Sequence, residues 1–309
     1  MVRVSVLLNR EGGAVRATPD IAWKTTEAFR AAGLDVHVEL IAGSECADRC
    51  REIVRRGDEL LVVGGGDGTI SAAASSLAGT ETRLGILPLG TLNHFARDLR
   101  IPDDIAEAAK LIAEGNWRSV DLGAMNERLF INNSAIGLYP LMVLDRELQQ
   151  EKLGRSKRLA MIVASMHTLA RFGHQRLVLT ANDEKARVDT PLLFVGNNDY
   201  RLDLGAPGRR ESIEDGALSV FVMRKKTRRG FIAASIRALF GRERRDDMVK
   251  LENVERLKVA SHRSMLAVSL DGEVVHAKPP LEYKIRKKAL RVIAPSEPQS
   301  HAPGSRGGK

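Results

Sequence analysis

The sequence predicts an α/β fold that gives way to β-structure in its second half, and three observations carry that prediction. From Val2 to about Leu122, strand-like and helix-like segments alternate, as they do where parallel strands are joined by helical crossovers. In the middle of this series, the apolar run Leu60-Leu61-Val62-Val63 stops abruptly in Gly64-Gly65-Gly66-Asp67-Gly68-Thr69. A buried parallel strand ending in a loop shaped for close backbone approach has that pattern. Beyond Asp121 the pattern changes to short alternating strands with turn signals between them, which suggests an antiparallel sandwich or barrel.

The elements follow in order. Val2 to Leu8 alternates as a strand, and Thr18 to Ala32 carries Ile21, Ala22, Thr25, Ala28 and Phe29 at helical spacing until Gly33 stops it. Val36 to Ile41 is the second strand, Cys46 to Arg56 the second helix and Glu59 to Val63 the central strand. A helix from Ile70 to Leu77, a strand Leu84 to Pro88 and a helix from Asp104 to Glu114 complete the series. The second half is expected to hold strands at 129–132, 176–181, 190–195, 218–223, 256–260, 265–270, 281–285 and 290–293. Two helical insertions, Ser156 to Phe172 and Arg228 to Phe240, interrupt it, and 295–309 has no apolar residue able to anchor a fold, so it reads as a disordered tail. The expected domains are therefore 1–122 and 123–294.

Composition narrows the function classes. Hydrophobic residues are 43% and charged residues 28% of the 309, ordinary values for a globular protein with cores to bury. No apolar run approaches the roughly 20 residues of a spanning helix, and the start of the chain alternates like a strand rather than a signal peptide, so the expected setting is the cytoplasm. Cys46 and Cys50 lack metal-site spacing and read as helical thiols. The net charge of +9 is concentrated between Arg224 and Arg245, where nine Lys/Arg accompany one acid, Glu243. With aromatics at 4% and no recognition motif, nucleic acid is not the expected partner. An anionic membrane surface is.

The glycine loop is suited to phosphate, since main-chain N–H groups can converge there and the following helix offers its positive end. Asp67 beside an anion makes sense if it positions a divalent cation or takes a proton from an attacking hydroxyl; a tight turn with an Asp cap is the plain alternative. Thr91 and Asn93 lie in a second loop after the next strand, where Arg97 and Asp98 are expected to bind each other or cap a turn. Asn9-Arg10-Glu11-Gly12-Gly13 ends the first strand. All three loops should reach the carboxyl edge of one sheet, where ligands bind in such folds. Asp271 and Glu273 lie two apart on a strand-like segment and should project from one face, although Leu-Asp-Gly-Glu alone also reads as a β-turn.

Together, Gly-Gly-Asp-Gly-Thr at 65–69, Pro-Leu-Gly-Thr-Leu-Asn-His-Phe-Ala-Arg-Asp-Leu at 88–99, Asn-Asn-Ser-Ala-Ile-Gly-Leu-Tyr at 132–139, Val-Gly-Asn-Asn at 195–198, Glu-Asp-Gly-Ala-Leu at 214–218 and Leu-Asp-Gly-Glu at 270–273 resemble the diacylglycerol kinase catalytic-domain family, which includes sphingosine and ceramide kinases. The resemblance implies a three-layer nucleotide-binding domain like that of NAD kinase, followed by a β-sandwich-like domain, with the active site between them. It implies ATP as phosphoryl donor, contacted by Gly65, Gly66, Asp67, Gly68 and Thr69, with Thr91 and Asn9 beside them, and magnesium oriented by Asp67. Of the second carboxylate pair, one would take the proton of the lipid hydroxyl and the other would hold that base or a metal-bound water, with Glu273 favoured as the base and Asp271 close behind. A structural magnesium is implied at Asp215, with main-chain carbonyls of Ser212 and Ala217. The expected reaction is diacylglycerol to phosphatidate. Sphingoid bases, ceramide or phosphatidylglycerol are alternative acceptors, and a soluble-substrate kinase or a nucleotide-sensing, membrane-binding protein are alternative functions.

Ile232, Ile236, Leu239 and Phe240 form one apolar helical face flanked by arginines. That stretch either docks on anionic lipid or packs on the sandwich with a solvated basic rim. An exposed sandwich edge also leaves a homodimer open.

Overall fold

In a computed structural model, the described residues are 4–138, 173–199, 210, 212–224, 227, 230, and 247–296. The first half runs β1 (Val4–Asn9), α1 (Gly13–Arg16), α2 (Ile21–Ala31), β2 (Val36–Ile41), α3 (Cys46–Arg56), β3 (Leu60–Gly65), α4 (Asp67–Leu77), β4 (Arg83–Pro88), α5 (His94–Asp98) and α6 (Ile105–Glu114). Strands β1 to β4 pair in parallel in the order β2-β1-β3-β4. Val6, Leu8, Leu61, Val62 and Val63 are wholly buried within it, because α2 packs with α6 and α3 with α4 to cover the sheet in three layers. Local chemistry ends the helices: Gly57 caps α3 in the left-handed region at φ 84°, and Asp104 caps α6 by accepting from the N–H groups of Ala106 and Glu107.

The second half continues with β5 (Trp117–Met125), β6 (Arg128–Phe130), β7 (Asn133–Gly137), β8 (Gln175–Ala181), β9 (Glu184–Thr190), β10 (Leu192–Asn197), β11 (Leu218–Met223), β12 (Met248–Val254), β13 (Arg256–Ser261), β14 (Leu266–Leu270), β15 (Glu273–Ala277) and β16 (Leu281–Ile293). A six-stranded sheet, β12-β11-β10-β7-β14-β15, packs on the far part of a ten-stranded sheet that extends β4 through β16, β13, β8 and β9. Their shared core holds Val195, Val220, Leu257, Val259, Val268 and Tyr283, with Phe130 edge-on to Tyr283 at 6.5 Å between ring centres.

Several expectations need correction. Residue 122 lies inside β5, and the two strands expected at 281–285 and 290–293 are one strand, β16, bent by a bulge between Arg286 and Leu290. Through Val292 opposite Leu84, this last strand joins the first sheet, so the nucleotide-side sheet is completed from the end of the chain. Helix α4 begins at Asp67 rather than Ile70. Strand β9, Glu-Lys-Ala-Arg-Val-Asp-Thr, escaped the sequence reading because, among the described residues, it is an edge strand paired only with β8 and has little to bury. The helical insertion at 156–172 lies outside the described residues, as do nearly all of 228–240 and 297–309. Among the described residues, no helix is long and apolar enough to cross a membrane.

Candidate active site

Three loops meet at the carboxyl edge of the parallel strands, and glycine lets them do so. A Cβ on Gly65 would stand 2.7 Å from the Thr69 side chain, and one on Gly90 would stand 2.4 Å from the Gly66 Cα. The loop after β3 and the loop after β4 therefore touch backbone to backbone. Asn93, itself left-handed at φ 50°, fixes the second loop: its Oδ1 accepts from Gly90 N–H at 2.9 Å, and its Nδ2 donates to the carbonyls of Pro88 and Gly90 at 3.2 Å. The third loop is tied in by Asn9, whose Nδ2 donates to Thr69 Oγ1 at 2.9 Å while its Oδ1 accepts from Glu11 N–H. Asn9, Gly65, Gly66, Asp67, Gly68 and Thr69 are thus brought together, with Thr91 exposed at the tip of the neighbouring loop. Helix α4 starts at Asp67 after the extended Gly66, so its first N–H groups and its positive end face this edge. Such an end takes an anion.

The second half of the site comes from the other sheet. Asp271 and Glu273 do not share a strand face: Asp271 (φ 48°) and Gly272 (φ 89°) make the two-residue turn of the β14–β15 hairpin, and Glu273 opens β15. Their surroundings differ as much. Asp271 Oδ1 accepts from the N–H groups of Asn132 and Asn133 at 2.8 and 3.1 Å, and Oδ2 accepts from Ser71 Oγ and Ile131 N–H at 2.6 and 2.8 Å. Two donors on each oxygen use the four sites that a carboxylate offers. Burial pushes its pKa up against the pull of those donors. Glu273 is exposed, and its Oε1 lies 3.6 Å from where a Cβ on Gly68 would stand. Between them, a cleft of about 300 Å³ is lined by Gly68, Ser71, Ser75, Arg128, Leu129 and Glu273. The N-terminal end of α4 thus faces the exposed Glu273 carboxylate across a small cleft.

The sequence model of the diacylglycerol kinase catalytic domain matches residues 3–125, and that of the YegS C-terminal NAD kinase beta sandwich-like domain matches residues 145–294. Over residues 3–125 the chain belongs to the diacylglycerol kinase catalytic-domain family. Among its relatives, the diacylglycerol kinase of Bacillus subtilis (strain 168) is 27% identical over 304 residues, 96% of this chain and 98% of that one. That of Staphylococcus carnosus (strain TM300) is 44% identical over 81 residues, 26% of each. A solved structure of a diacylglycerol kinase from Bacillus anthracis (strain Sterne) shares the fold with a TM-score of 0.69 at 21% identity, over 95% of this chain and 97% of that one. A further structure from the same organism gives a TM-score of 0.74 at 24% identity over the same shares. The chain is accordingly a lipid kinase.

In this kinase a second cleft, of about 380 Å³, brings together Ser212, Asp215 and Ala217 with Asp199 and Lys250. Asp215 Oδ2 accepts from Asp199 N–H at 3.1 Å, and Lys250 pairs with the Asp199 carboxylate at 2.7 Å. The loop is fixed from below by buried Asp121, which accepts from Gly216 N–H at 2.8 Å and from Lys288 N–H at 2.7 Å. The Asp215 carboxylate is a hard oxygen donor of the kind that a magnesium ion takes. Among the described residues, no group of three or more His, Cys, Asp or Glu side chains could hold a metal, so main-chain oxygens would have to supply most ligands.

Sequence reasoning missed one link between the halves of the kinase. Asp98 does not bind Arg97. It accepts from Arg210 Nε at 2.6 Å, and Arg210, its side chain fully buried, also donates to the Ile131 carbonyl at 2.6 Å and Asn132 Oδ1 at 3.0 Å. The guanidinium lies 5.7 Å from the centre of the Phe95 ring. Burial pushes the Asp98 pKa up, and Arg210 opposes it. One side chain thus clamps α5 to the β6–β7 connection, which also carries the N–H groups bound by Asp271. No local signal marks a partner 112 positions away.

Proposed function

We propose that the protein transfers the γ-phosphoryl group of ATP, with magnesium, to the hydroxyl of diacylglycerol and so forms phosphatidate. The observation that carries this reading is Glu273: its carboxylate faces the first turn of α4 at Gly68, while its neighbour Asp271 has every oxygen site in use. The main-chain N–H groups at Gly65, Gly66, Asp67 and Gly68 would take the phosphates, with Thr91 alongside. Asn9 and Thr69 act one step back, holding the loop through their mutual hydrogen bond. Magnesium on the triphosphate would be oriented by Asp67, and a structural ion would be held at Asp215 with the carbonyls of Ser212 and Ala217, supplying charge neutralisation and order respectively. The acceptor oxygen attacks the γ-phosphorus, the bond to the leaving ADP oxygen breaks, and Glu273 takes the acceptor's proton. Asp271 positions the turn that presents Glu273. The basic stretch from Arg224 to Arg245 would keep the enzyme peripherally at the cytoplasmic face of an anionic membrane.

The test is transfer of labelled γ-phosphate to a lipid panel in mixed micelles, with and without magnesium. Labelled phosphatidate, lost in Asp67→Ala and Glu273→Gln, is the expected result. Labelling of a sphingoid base, ceramide or phosphatidylglycerol instead would replace the acceptor, and no transfer to any lipid would overturn the reading.

A further inference from the structure

The far end of the ten-stranded sheet, β16-β13-β8-β9, has one face in the core and one face in solvent. Leu177, Leu179, Leu257, Val259 and Tyr283 alternate inward and are buried. The residues between them alternate outward, and register places Lys284 opposite Arg256, Lys258 opposite Thr180, Thr180 opposite Lys185, and Val178 opposite Arg187. With Arg176 on β8, six exposed cations occupy this face against two carboxylates, Glu282 and Asp189. Glu282 pairs with Lys258 at 3.5 Å, and Asp189 approaches His174 at 3.5 Å. The outward residues between the cations are small, Val178, Thr180 and Ala260, and the face holds no aromatic side chain.

The same face leads to the cleft. Across neighbouring strands Arg256 lies opposite Lys284, Lys284 opposite Ala124, and Ala124 opposite Leu129, and Leu129 lines the cleft that holds Glu273. A row of residues on one side of one sheet thus runs from the basic face through buried Ala124 to Leu129 at the cleft.

We infer that this outer face of β16, β13, β8 and β9 is a docking surface for an anionic lipid bilayer, distinct from the Arg224 to Arg245 stretch, and that it sets the cleft at the lipid surface. Charge complementarity argues for a polyanion, and cations spread across four neighbouring strands with only small residues between them argue for an extended surface rather than a single strand of charge. Single-stranded nucleic acid would use aromatic platforms that this face lacks. The choice of a bilayer rests on the lipid-kinase activity, whose acceptor must be met at a membrane. Several basic side chains held near an anionic leaflet act additively and are weakened by salt.

The experiment is co-sedimentation of the full chain with phosphatidylcholine vesicles containing or lacking phosphatidylglycerol, for the wild type and for the triple variant Arg187→Gln, Lys258→Gln, Lys284→Gln. All three positions are exposed, and none lies in the cleft. Phosphate transfer to a short-chain, water-soluble diacylglycerol is measured in parallel. The inference expects wild-type binding that needs phosphatidylglycerol, a triple variant that partitions on the order of 100-fold more weakly, and unchanged transfer to the soluble acceptor. The single variant Lys284→Gln should lose about 5-fold, which guards against a misfolded triple. Vesicle binding equal to wild type in the triple variant would overturn the inference, as would loss of binding only in Arg228→Gln with Arg229→Gln. So would unchanged vesicle binding accompanied by lost binding to duplex DNA or to an acidic protein. Failure of soluble transfer in the wild type, with vesicle binding intact, would count against the proposed reaction and leave the docking face supported.

Discussion

The glycine loops and the β14–β15 hairpin build the two sides of one cleft by opposite means. On the first side the groups on offer are main-chain N–H, and the sequence is spent on removing side chains: a Cβ on Gly90 would stand 2.4 Å from the Gly66 Cα. On the second side stand two carboxylates that flank one glycine, and their hydrogen bonds set them apart. Asp271 is saturated by Ser71 and three main-chain donors, whereas Glu273 faces the end of α4. Residue type therefore does not separate the two. The count of donors already on each oxygen does.

Replacing Glu273 by Gln would sharpen that contrast most. The exposed amide keeps shape and removes the base, so kcat should fall by about 10³-fold, within the usual span for general acid–base catalysis, which corresponds to about 4 kcal/mol. Melting temperature and ATP affinity should stay at wild-type values. A fall in stability of similar size would mean that Glu273 is structural like its neighbour.

Next in size is Arg210→Met, which tests the clamp between the two sides. Removing one partner of a buried ion pair leaves the other desolvated and costs about 3–5 kcal/mol, here read by denaturant unfolding. Burial already pushes Asp98 up, and losing the cation pushes it further. A carboxyl whose folded pKa lies above its unfolded value loses stability as pH rises through that window, so the deficit of the variant should shrink as pH is lowered toward the acid range. A deficit independent of pH would detach it from Asp98.

Asp271→Asn comes third. An amide can accept at one oxygen only, so two of the four donors lose a partner while buried, at about 1–3 kcal/mol. Stability should fall, and kcat should fall with it because the turn presents Glu273. A variant that loses rate with unchanged melting temperature would return Asp271 to the role of base.

Much of this arrangement was legible before any coordinates, and the reason lies in range. Helix α3 matched its expected bounds, Cys46 to Arg56, because apolar spacing and a closing Gly57 are local signals. The three loops were found because parallel strands put their carboxyl ends on one edge. What stayed hidden depends on partners far along the chain: Asp98 with Arg210, Asp271 with the 131–133 main chain, and β16 completing a sheet begun at residue 4. The hairpin turn at Asp271 was readable as Leu-Asp-Gly-Glu, yet period-two reasoning treated it as a strand and put both carboxylates on one face. Strand β9 failed for a different reason, since only Ala186 and Val188 alternate with its charged residues, and two small apolar side chains on an edge strand are a weak signal.

The smallest expected effect separates the shape of the glycine loop from its chemistry. Asn9 Nδ2 and Thr69 Oγ1 satisfy each other at 2.9 Å, and Gly65 has no Cβ because Thr69 fills that space. If those side chains serve only to hold the loop, Asn9→Ala should cost about 1 kcal/mol, the net worth of an ordinary hydrogen bond. That would be read as a roughly 5-fold rise in the KM for ATP with kcat nearly unchanged, since the main-chain donors remain. Thr69→Val, which keeps the volume and removes the hydroxyl, should give the same change, and the double variant should add little to either single one. A large loss of kcat in Asn9→Ala would move that side chain into contact with the phosphates, and the main-chain account of this side of the cleft would fail.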